Sequence, residues 1–149
     1  MRQITDIVIH CTATKEGKFF NAKDIDQMHK AKGWSGIGYH YVILLDGTVE
    51  KGRPDSKIGA HVKGYNSKSI GVVYVGGLDK NGRAKDTRTD LQKECLKELL
   101  KRLKWLYTTA RISGHRDFSP DLNKNGIIES NERMKECPCF DVKKEYIDV

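Results

Sequence analysis

The hydrophobic pattern of the chain first predicts three strands. Residues 4–10 (ITDIVIH) alternate and then run apolar, which is typical of a buried strand that ends near residues 10–12. A second apolar run, SIGVVYV at 69–75, is bounded by two glycines and also predicts a buried strand. Residues 110–113 (ARIS) predict a short last strand.

Helical spacing appears in two longer segments. Residues 21–32 begin with an asparagine that can cap a helix and end before Gly33, which can stop it. Thr89 and Gln92 fit a capping box that opens a long second helix. We expect this helix to face the core through an apolar stripe of Leu91, Cys95, Leu99, Leu103 and Leu106. Residues 141–147 predict a short terminal helix.

A hairpin completes the predicted set of elements. The runs YHYVILL and TVEKG flank Asp46-Gly47, a dipeptide that favours a type I′ turn. Strands that alternate with helices, together with this hairpin, predict an α/β fold: a single domain, residues 1–149, with a central mixed β-sheet flanked by α-helices.

Composition and charge limit the classes of function. A chain of 149 residues can bury a core without disulfides. Its net charge of +7 favours anionic partners, but the lysines are scattered, so we do not expect nucleic-acid binding. No apolar run is long enough to span a membrane, so we expect no membrane insertion. The N-terminus lacks the apolar core of a signal peptide, which predicts synthesis in the cytoplasm, where thiols stay reduced. We expect a monomer.

The segment KECPCFD at 135–141 raises the question of what its cysteines do. In a reducing compartment a disulfide framework is not expected, so metal binding or catalysis becomes the alternative to inert packing. His10 ends the first strand, His115 follows the last one, and Cys137 lies in an irregular segment. Two imidazoles and a thiolate can hold zinc with a fourth position left for water. The competing interpretation is that the histidines are ordinary core or surface residues.

The remaining histidines and cysteines have simpler interpretations. We expect His29 to be exposed on a polar helix face, and His40 to be buried and hydrogen-bonded. His61 lies in a loop rich in turn residues and could line a groove. Cys11 and Cys95 are expected to be small core residues.

Five motifs in this order resemble one known family over nearly the whole chain. They are IVIHCTAT at 7–14, GWSGIGYHYVILLDGTVEKGR at 33–53, GAHVKGYNSKSIGVVYVGG at 59–77, GHRDFSP at 114–120 and KECPCFD at 135–141. The chain resembles the zinc-dependent N-acetylmuramoyl-L-alanine amidases of the bacteriophage lysozyme and peptidoglycan recognition protein family. This resemblance implies hydrolysis of the amide between N-acetylmuramic acid and the L-alanine of the peptidoglycan stem peptide.

The resemblance also implies roles for individual residues. It makes His10, His115 and Cys137 the zinc ligands and places Tyr39 and Lys135 at the catalytic positions, with Cys139 as a bystander. A groove for the substrate would be lined by His61, Asn66 and Ser69. The alternative is a domain that only binds peptidoglycan, but such members typically lack the cysteine ligand. The enzyme would act on the cell wall after release through a membrane lesion, as an endolysin does, or after dedicated export.

One segment departs from the compact phage members of the family. Residues 121–132 (DLNKNGIIESNE) match the calcium-loop pattern D-x-[DN]-x-[DN]-G-x₅-E. A calcium ion would take oxygen ligands from Asp121, Asn123, Asn125, Ile127 and Glu132. The alternative is a polar surface insertion whose asparagines and glycine only form turns. A bound ion would brace the segment that carries Lys135 and Cys137.

Overall fold

The computed structural model of the chain describes residues 2–120, 122–125, 128 and 136–149. The strands are β1 (Asp6–Cys11), β2 (Thr14–Lys15), β3 (Tyr41–Ile43), β4 (Val49–Lys51), β5 (Ser69–Tyr74), β6 (Gly77–Leu78) and β7 (Arg111–Gly114). The helices are α1 (Ala22–Ala31), α2 (Asp90–Leu106) and α3 (Val142–Glu145), with 3₁₀ turns at Asn66–Lys68 and His115–Phe118. Within these described ranges, every helix is too short or too polar to cross a bilayer.

Five of the strands form one mixed sheet in the order β4-β3-β5-β1-β7. β1 lies at the centre of a parallel arrangement, with β5 on one side and β7 on the other. β3 is parallel to β5, and only the β3–β4 hairpin is antiparallel. The prediction of a single α/β domain with a central mixed sheet is therefore confirmed.

The sheet is buried on both faces, which explains why β1 and β5 read as continuous apolar runs. Every residue of these two strands is buried. Along β5 the side chains alternate, so that Val72 and Tyr74 pack with α2 and α3 whereas Val73 packs with Ile25 of α1. The helices thus cover opposite faces and leave the strand ends open to the loops.

The buried face of α2 differs from the predicted stripe. Leu99 and Leu103 are buried as expected, but Leu91 and Leu106 are each 53% exposed, so that part of the prediction is wrong. The core positions are instead shared by Leu96, Leu100 and the polar Gln92, all completely buried. Gln92 Nε2 donates hydrogen bonds to the carbonyl of Ile43, the last residue of β3, and to that of Val75, directly after β5. This polar contact sets the rotation of the helix.

The hairpin forms at the predicted place with a different turn. Gly47 has φ of +87°, whereas Asp46 is not in the left-handed region that a type I′ turn requires. The Gly47 N–H donates to the Leu44 carbonyl, and Leu44 N–H donates to the Thr48 carbonyl. The loop is therefore one residue longer than predicted, with glycine supplying the single positive φ.

Both long helices begin with capping boxes, as predicted for α2, whereas for α1 only the Asn21 cap was predicted. The Asn21 side chain accepts from the Asp24 N–H, and the Thr89 side chain accepts from the Gln92 N–H. We expect Thr89→Ala to lower the free energy of unfolding by about 1 kcal/mol, because it removes a partner from the first turn of α2. Urea unfolding measures this, with the exposed turn substitution Thr109→Ala as the matched control. Equal midpoints for the two variants would contradict it.

A buried arginine ties the C-terminal segment to the body of the protein. The Arg88 guanidinium forms ion pairs with Asp86 and Glu145. It also lies 3.4 Å from the ring centroid of Phe140, a stacked cation–π contact. Because Phe140 and Glu145 follow Cys137 closely, this contact fixes the segment that carries the predicted ligand.

Candidate metal centre and groove

The pairing of β1 with β7 brings His10 and His115 together. The two strands are parallel neighbours with Ile9 opposite Gly114, so the next residue of each lies at the same edge of the sheet. His10 is buried, with 1% of its surface exposed, whereas His115 is half-buried at the start of a 3₁₀ turn. Two imidazoles that are far apart in sequence thus meet at the carboxyl ends of adjacent strands.

Backbone contacts hold Cys137 against the same edge. The Cys11 N–H donates to Cys137 Sγ at 3.1 Å, and the Arg116 N–H donates to the Cys137 carbonyl at 2.8 Å. Gly114 permits this approach, because a Cβ there would lie 2.7 Å from Cδ of Pro138. An N–H aimed at sulfur stabilises a thiolate, the form in which cysteine binds metals.

The three donor atoms fit a shared zinc ion. His10 Nδ1 lies 3.2 Å from His115 Nδ1. One ring nitrogen of each histidine and Cys137 Sγ all lie within 4.8 Å of one another. Two zinc–nitrogen bonds of about 2.0–2.1 Å at a tetrahedral angle hold their nitrogens about 3.3 Å apart. Two imidazole nitrogens and one sulfur are also a donor set that zinc accepts in catalytic sites. These residues are therefore suited to the metal that the sequence implies.

Tyr39 lies beside the three donors, in the loop before β3. Its ring centroid is 5.1 Å from that of His10. Burial, and then the nearby Cys137 and Cys11 thiols, raise the pKa of Tyr39 above its ordinary value. The phenol therefore keeps its proton at neutral pH and can act as a hydrogen-bond donor next to the metal site.

His61 contacts His10 on the side away from His115. His61 Nδ1 lies 2.9 Å from His10 Nε2, and its Nε2 lies 3.1 Å from Ser69 Oγ. Burial, and then the charges of His40 and His115, lower the pKa of His61 to about 3, so this ring is neutral at pH 7. Asn66 Oδ1 accepts from the N–H groups of His61 and Val62, both at 2.8 Å.

A groove of about 740 Å³ opens beside the candidate metal centre. Two of the predicted groove residues, His61 and Asn66, contribute to its wall, together with the predicted ligand His115. Ser69, the third predicted groove residue, does not line the groove, because it is completely buried behind His61. Sequence reasoning missed the aromatic residues Trp34 and Phe118, which also line the groove. Both residues lie inside motifs of the family resemblance, GWSG and RDFSP, and this position could have identified them as groove residues.

The thiols of Cys11 and Cys139 lie next to the centre without joining the three donors. Cys139 Sγ points toward Cys11 Sγ, 4.0 Å away, and toward the Gly77 carbonyl at 3.3 Å. The hydrogen bond with Cys137, followed by burial, raises the pKa of Cys11 to about 12. No disulfide links the four cysteines, all of which lie in the described ranges.

Two histidines show how hydrogen bonds to the backbone of other segments determine burial. His29 is buried, which makes the prediction of an exposed residue wrong: its Nδ1 accepts from the Gly38 N–H, and its ring packs on Trp34. His40 is buried and hydrogen-bonded as predicted. Its Nδ1 accepts from the Gly71 N–H, and its Nε2 lies 2.8 Å from the Lys57 carbonyl.

Some predicted residues lie outside the described part of the chain. They are Lys135 and three of the calcium-loop residues, Asp121, Ile127 and Glu132. Asn123 and Asn125 are exposed, and the Asn125 N–H donates to Asn123 Oδ1 at 3.2 Å. The calcium site stays a prediction.

The buried neutral histidines predict a pH-dependent stability of the metal-free protein. Burial lowers the pKa of His61, and likewise those of His29 and His40, so the unfolded chain binds more protons below pH 6.5. Stability should fall as the pH drops from 7.5 to 5, by about 2 kcal/mol through His61 alone. Urea unfolding at both pH values tests this, with a weaker pH dependence expected for His61→Gln. Equal unfolding free energies at the two pH values would contradict it.

Comparison with known proteins assigns the chain to a family. The N-acetylmuramoyl-L-alanine amidase family profile matches residues 1–139. The endolysin of Klebsiella phage KP32 is 41% identical over 143 residues, which cover 96% of this chain and 85% of the endolysin. Among solved structures, the N-acetylmuramoyl-L-alanine amidase LysC from Clostridium intestinale URNW is 28% identical with a TM-score of 0.72, covering 98% of this chain and 83% of LysC.

The fold extends to a second group of proteins. Bumblebee PGRP-SA has a TM-score of 0.73 at 24% identity, over 99% of this chain and 83% of its own. At that identity the likeness shows a shared fold. The family profile and the endolysin identity go further, and together with the fold they agree with the resemblance carried by the five motifs. The chain belongs to the N-acetylmuramoyl-L-alanine amidase family.

Proposed function

We propose that the protein is a zinc-dependent hydrolase that cleaves the amide between N-acetylmuramic acid and the L-alanine of the stem peptide. The observation that carries this proposal is the convergence of His10, His115 and Cys137 at one edge of the sheet, beside an open groove. The match to the amidase family supports the class of bond.

The chain's own residues would divide the chemistry as follows. His10, His115 and Cys137 would hold zinc, which when bound acts as a Lewis acid and supplies a nucleophile at neutral pH. Tyr39 keeps its phenol proton and would donate a hydrogen bond to the oxyanion that forms as the amide carbonyl is attacked. Lys135, two residues before Cys137, is the second proposed donor.

The groove suits a substrate with both sugar and peptide parts. Trp34 is exposed at its margin, and the rings of Tyr65 and Phe118 pack at a centroid distance of 4.5 Å. Flat aromatic faces can cover the apolar surface of a bound chain, while Asn66 and Lys63 offer polar contacts. The net charge of +7 would keep the protein near an anionic wall.

The relatives suggest the biological setting. The endolysins that match this chain come from bacteriophages, and we propose an endolysin-like role here, with action on the wall after release or dedicated export. Zinc is the proposed cofactor and peptidoglycan the proposed substrate. A monomer and a calcium ion in the 121–132 loop remain predictions.

Incubation of the purified protein with intact peptidoglycan tests the proposal. We expect new L-alanine amino termini with no new reducing sugar ends, because the glycan strand stays intact while the stem peptide is released. A chelator should stop the release, and added zinc should restore it. Binding to peptidoglycan without release would favour the alternative of a non-catalytic binding domain, and new reducing ends would indicate a glycosidase.

A further inference from the structure

His10, His61 and Ser69 form a line of side chains that runs inward from the metal centre. They come from β1, from the loop after Gly59 and from the first residue of β5. His10 Nε2 lies 2.9 Å from His61 Nδ1, and His61 Nε2 lies 3.1 Å from Ser69 Oγ. Both distances are those of hydrogen bonds, and the three side chains are buried.

The protein is built around the His61 ring. A Cβ at Gly59 or at Gly71 would each lie 2.7 Å from Cδ2 of His61, so neither position tolerates a side chain without moving the ring. The Asn66 side chain holds the backbone from the other direction by accepting from two consecutive N–H groups. These contacts leave the imidazole one position, in which its Nδ1 faces His10.

The direction of the hydrogen bonds follows from the use of His10 as a ligand. His10 Nδ1 is the atom that faces His115, so it must carry a lone pair toward the metal. In a neutral imidazole the proton then sits on Nε2, which donates to His61 Nδ1. His61 consequently carries its own proton on Nε2 and donates to Ser69 Oγ. One tautomer of each histidine, with the proton on Nε2, therefore satisfies both hydrogen bonds.

We propose that His61, supported by Ser69, is a positioning residue that fixes His10 in the tautomer and ring orientation that binds zinc. It acts through His10 and is not itself a ligand, because its contact is with the ring nitrogen of His10 on the edge opposite His115. This inference rests on the proposed zinc site and adds to it the residues that organise the site. Partners of this kind typically change metal affinity by 10–100-fold.

Zinc affinity, measured by competition with a chromophoric chelator, tests the proposal. We expect His61→Ala to weaken zinc binding by about 10–100-fold. His61→Asn should recover most of the loss, because its Oδ1 stands at the position of His61 Nδ1 and can accept from His10 Nε2. Ser69→Ala should weaken binding by a smaller factor, whereas the matched control Ser67→Ala, an exposed neighbour, should leave it unchanged.

A spectrum separates positioning from a general loss of structure. With cobalt in place of zinc, His61→Ala should shift the visible absorption bands, because the His10 ligand can rotate, while its circular dichroism stays that of the unsubstituted protein. Unchanged affinity and an unchanged cobalt spectrum in folded His61→Ala would overturn the proposal. If His61→Ala does not fold, equal affinities for Ser69→Ala and Ser67→Ala would overturn it. Failure of the unsubstituted protein to bind zinc would instead refute the proposed function.

Discussion

Cys137→Ser is expected to abolish zinc binding and to reduce amidase activity to that of the chelator-treated protein. Serine keeps the shape of the side chain but replaces the thiolate, which zinc binds, with a hydroxyl that stays protonated. The two histidines alone leave the ion without its third protein ligand. Zinc content by atomic absorption and release of L-alanine amino termini measure the two effects on the same sample. His10→Ala should give the same result.

Cys139→Ser is the matched control for this prediction. Cys139 lies two residues from Cys137, and its sulfur points toward Cys11 and the Gly77 carbonyl. The substitution should therefore preserve both zinc content and activity. Full zinc content in Cys137→Ser, or its loss in Cys139→Ser, would show that the wrong sulfur has been assigned to the ion.

Tyr39→Phe is expected to keep zinc but to lower the turnover number by about 10²–10³, the typical value of one donor to a developing oxyanion. The ring and its packing against His10 remain, and only the hydroxyl is removed. Burial raises the pKa of Tyr39, so the lost group is a protonated donor throughout the neutral range. Single-turnover kinetics on a defined muropeptide measure the chemical step directly.

Lys135→Ala should behave in the same way, with zinc content unchanged and turnover reduced by a similar factor of about 10²–10³. Tyr65→Phe provides the control for Tyr39→Phe, because it removes an exposed tyrosine hydroxyl next to Phe118 and leaves the aromatic ring in place. Unchanged turnover in Tyr39→Phe or in Lys135→Ala would remove that residue from the mechanism. Loss of zinc from either variant would assign it a structural role instead.

The strands and their ends could be read from the sequence, but their pairing could not. The apolar pattern predicts that His10 and His115 each lie where a strand finishes, and the structure agrees within one or two residues. The distance of 3.2 Å between His10 Nδ1 and His115 Nδ1 depends on the pairing of Ile9 with Gly114, which no local sequence pattern specifies. The assignment of both histidines to one zinc ion came from the resemblance to the family, because the hydrophobic periodicity carries no information on strand pairing.

Errors in the sequence interpretation occur where a polar contact overrides hydrophobic spacing. Leu99 and Leu103 would be buried both in the predicted orientation of α2 and in the observed one. The hydrogen bonds of Gln92 to two strand-end carbonyls favour the observed orientation, in which Leu91 is exposed. His29 reads as a polar surface residue, yet the Gly38 N–H provides a buried partner. Such contacts join segments that are distant in sequence and leave no periodic signal.

The role inferred for His61 also depends on contacts between segments that are distant in sequence. The sequence places it in a loop that can line a groove, which it does. Its contact with His10 depends on close approach to Gly59 and Gly71, and the significance of those glycines is visible only once the chain is folded. Similar close contacts at Gly114 bring Cys137 to the strand ends.

X-ray absorption at the zinc edge tests the central claim most directly. We predict one bound zinc whose scattering shell contains a single sulfur, two imidazole nitrogens and one further light atom from solvent. That ligand count requires His10, His115 and Cys137 to surround the ion with a coordination position left over. A shell with two sulfurs, one with none, or one closed by four protein ligands would contradict the account.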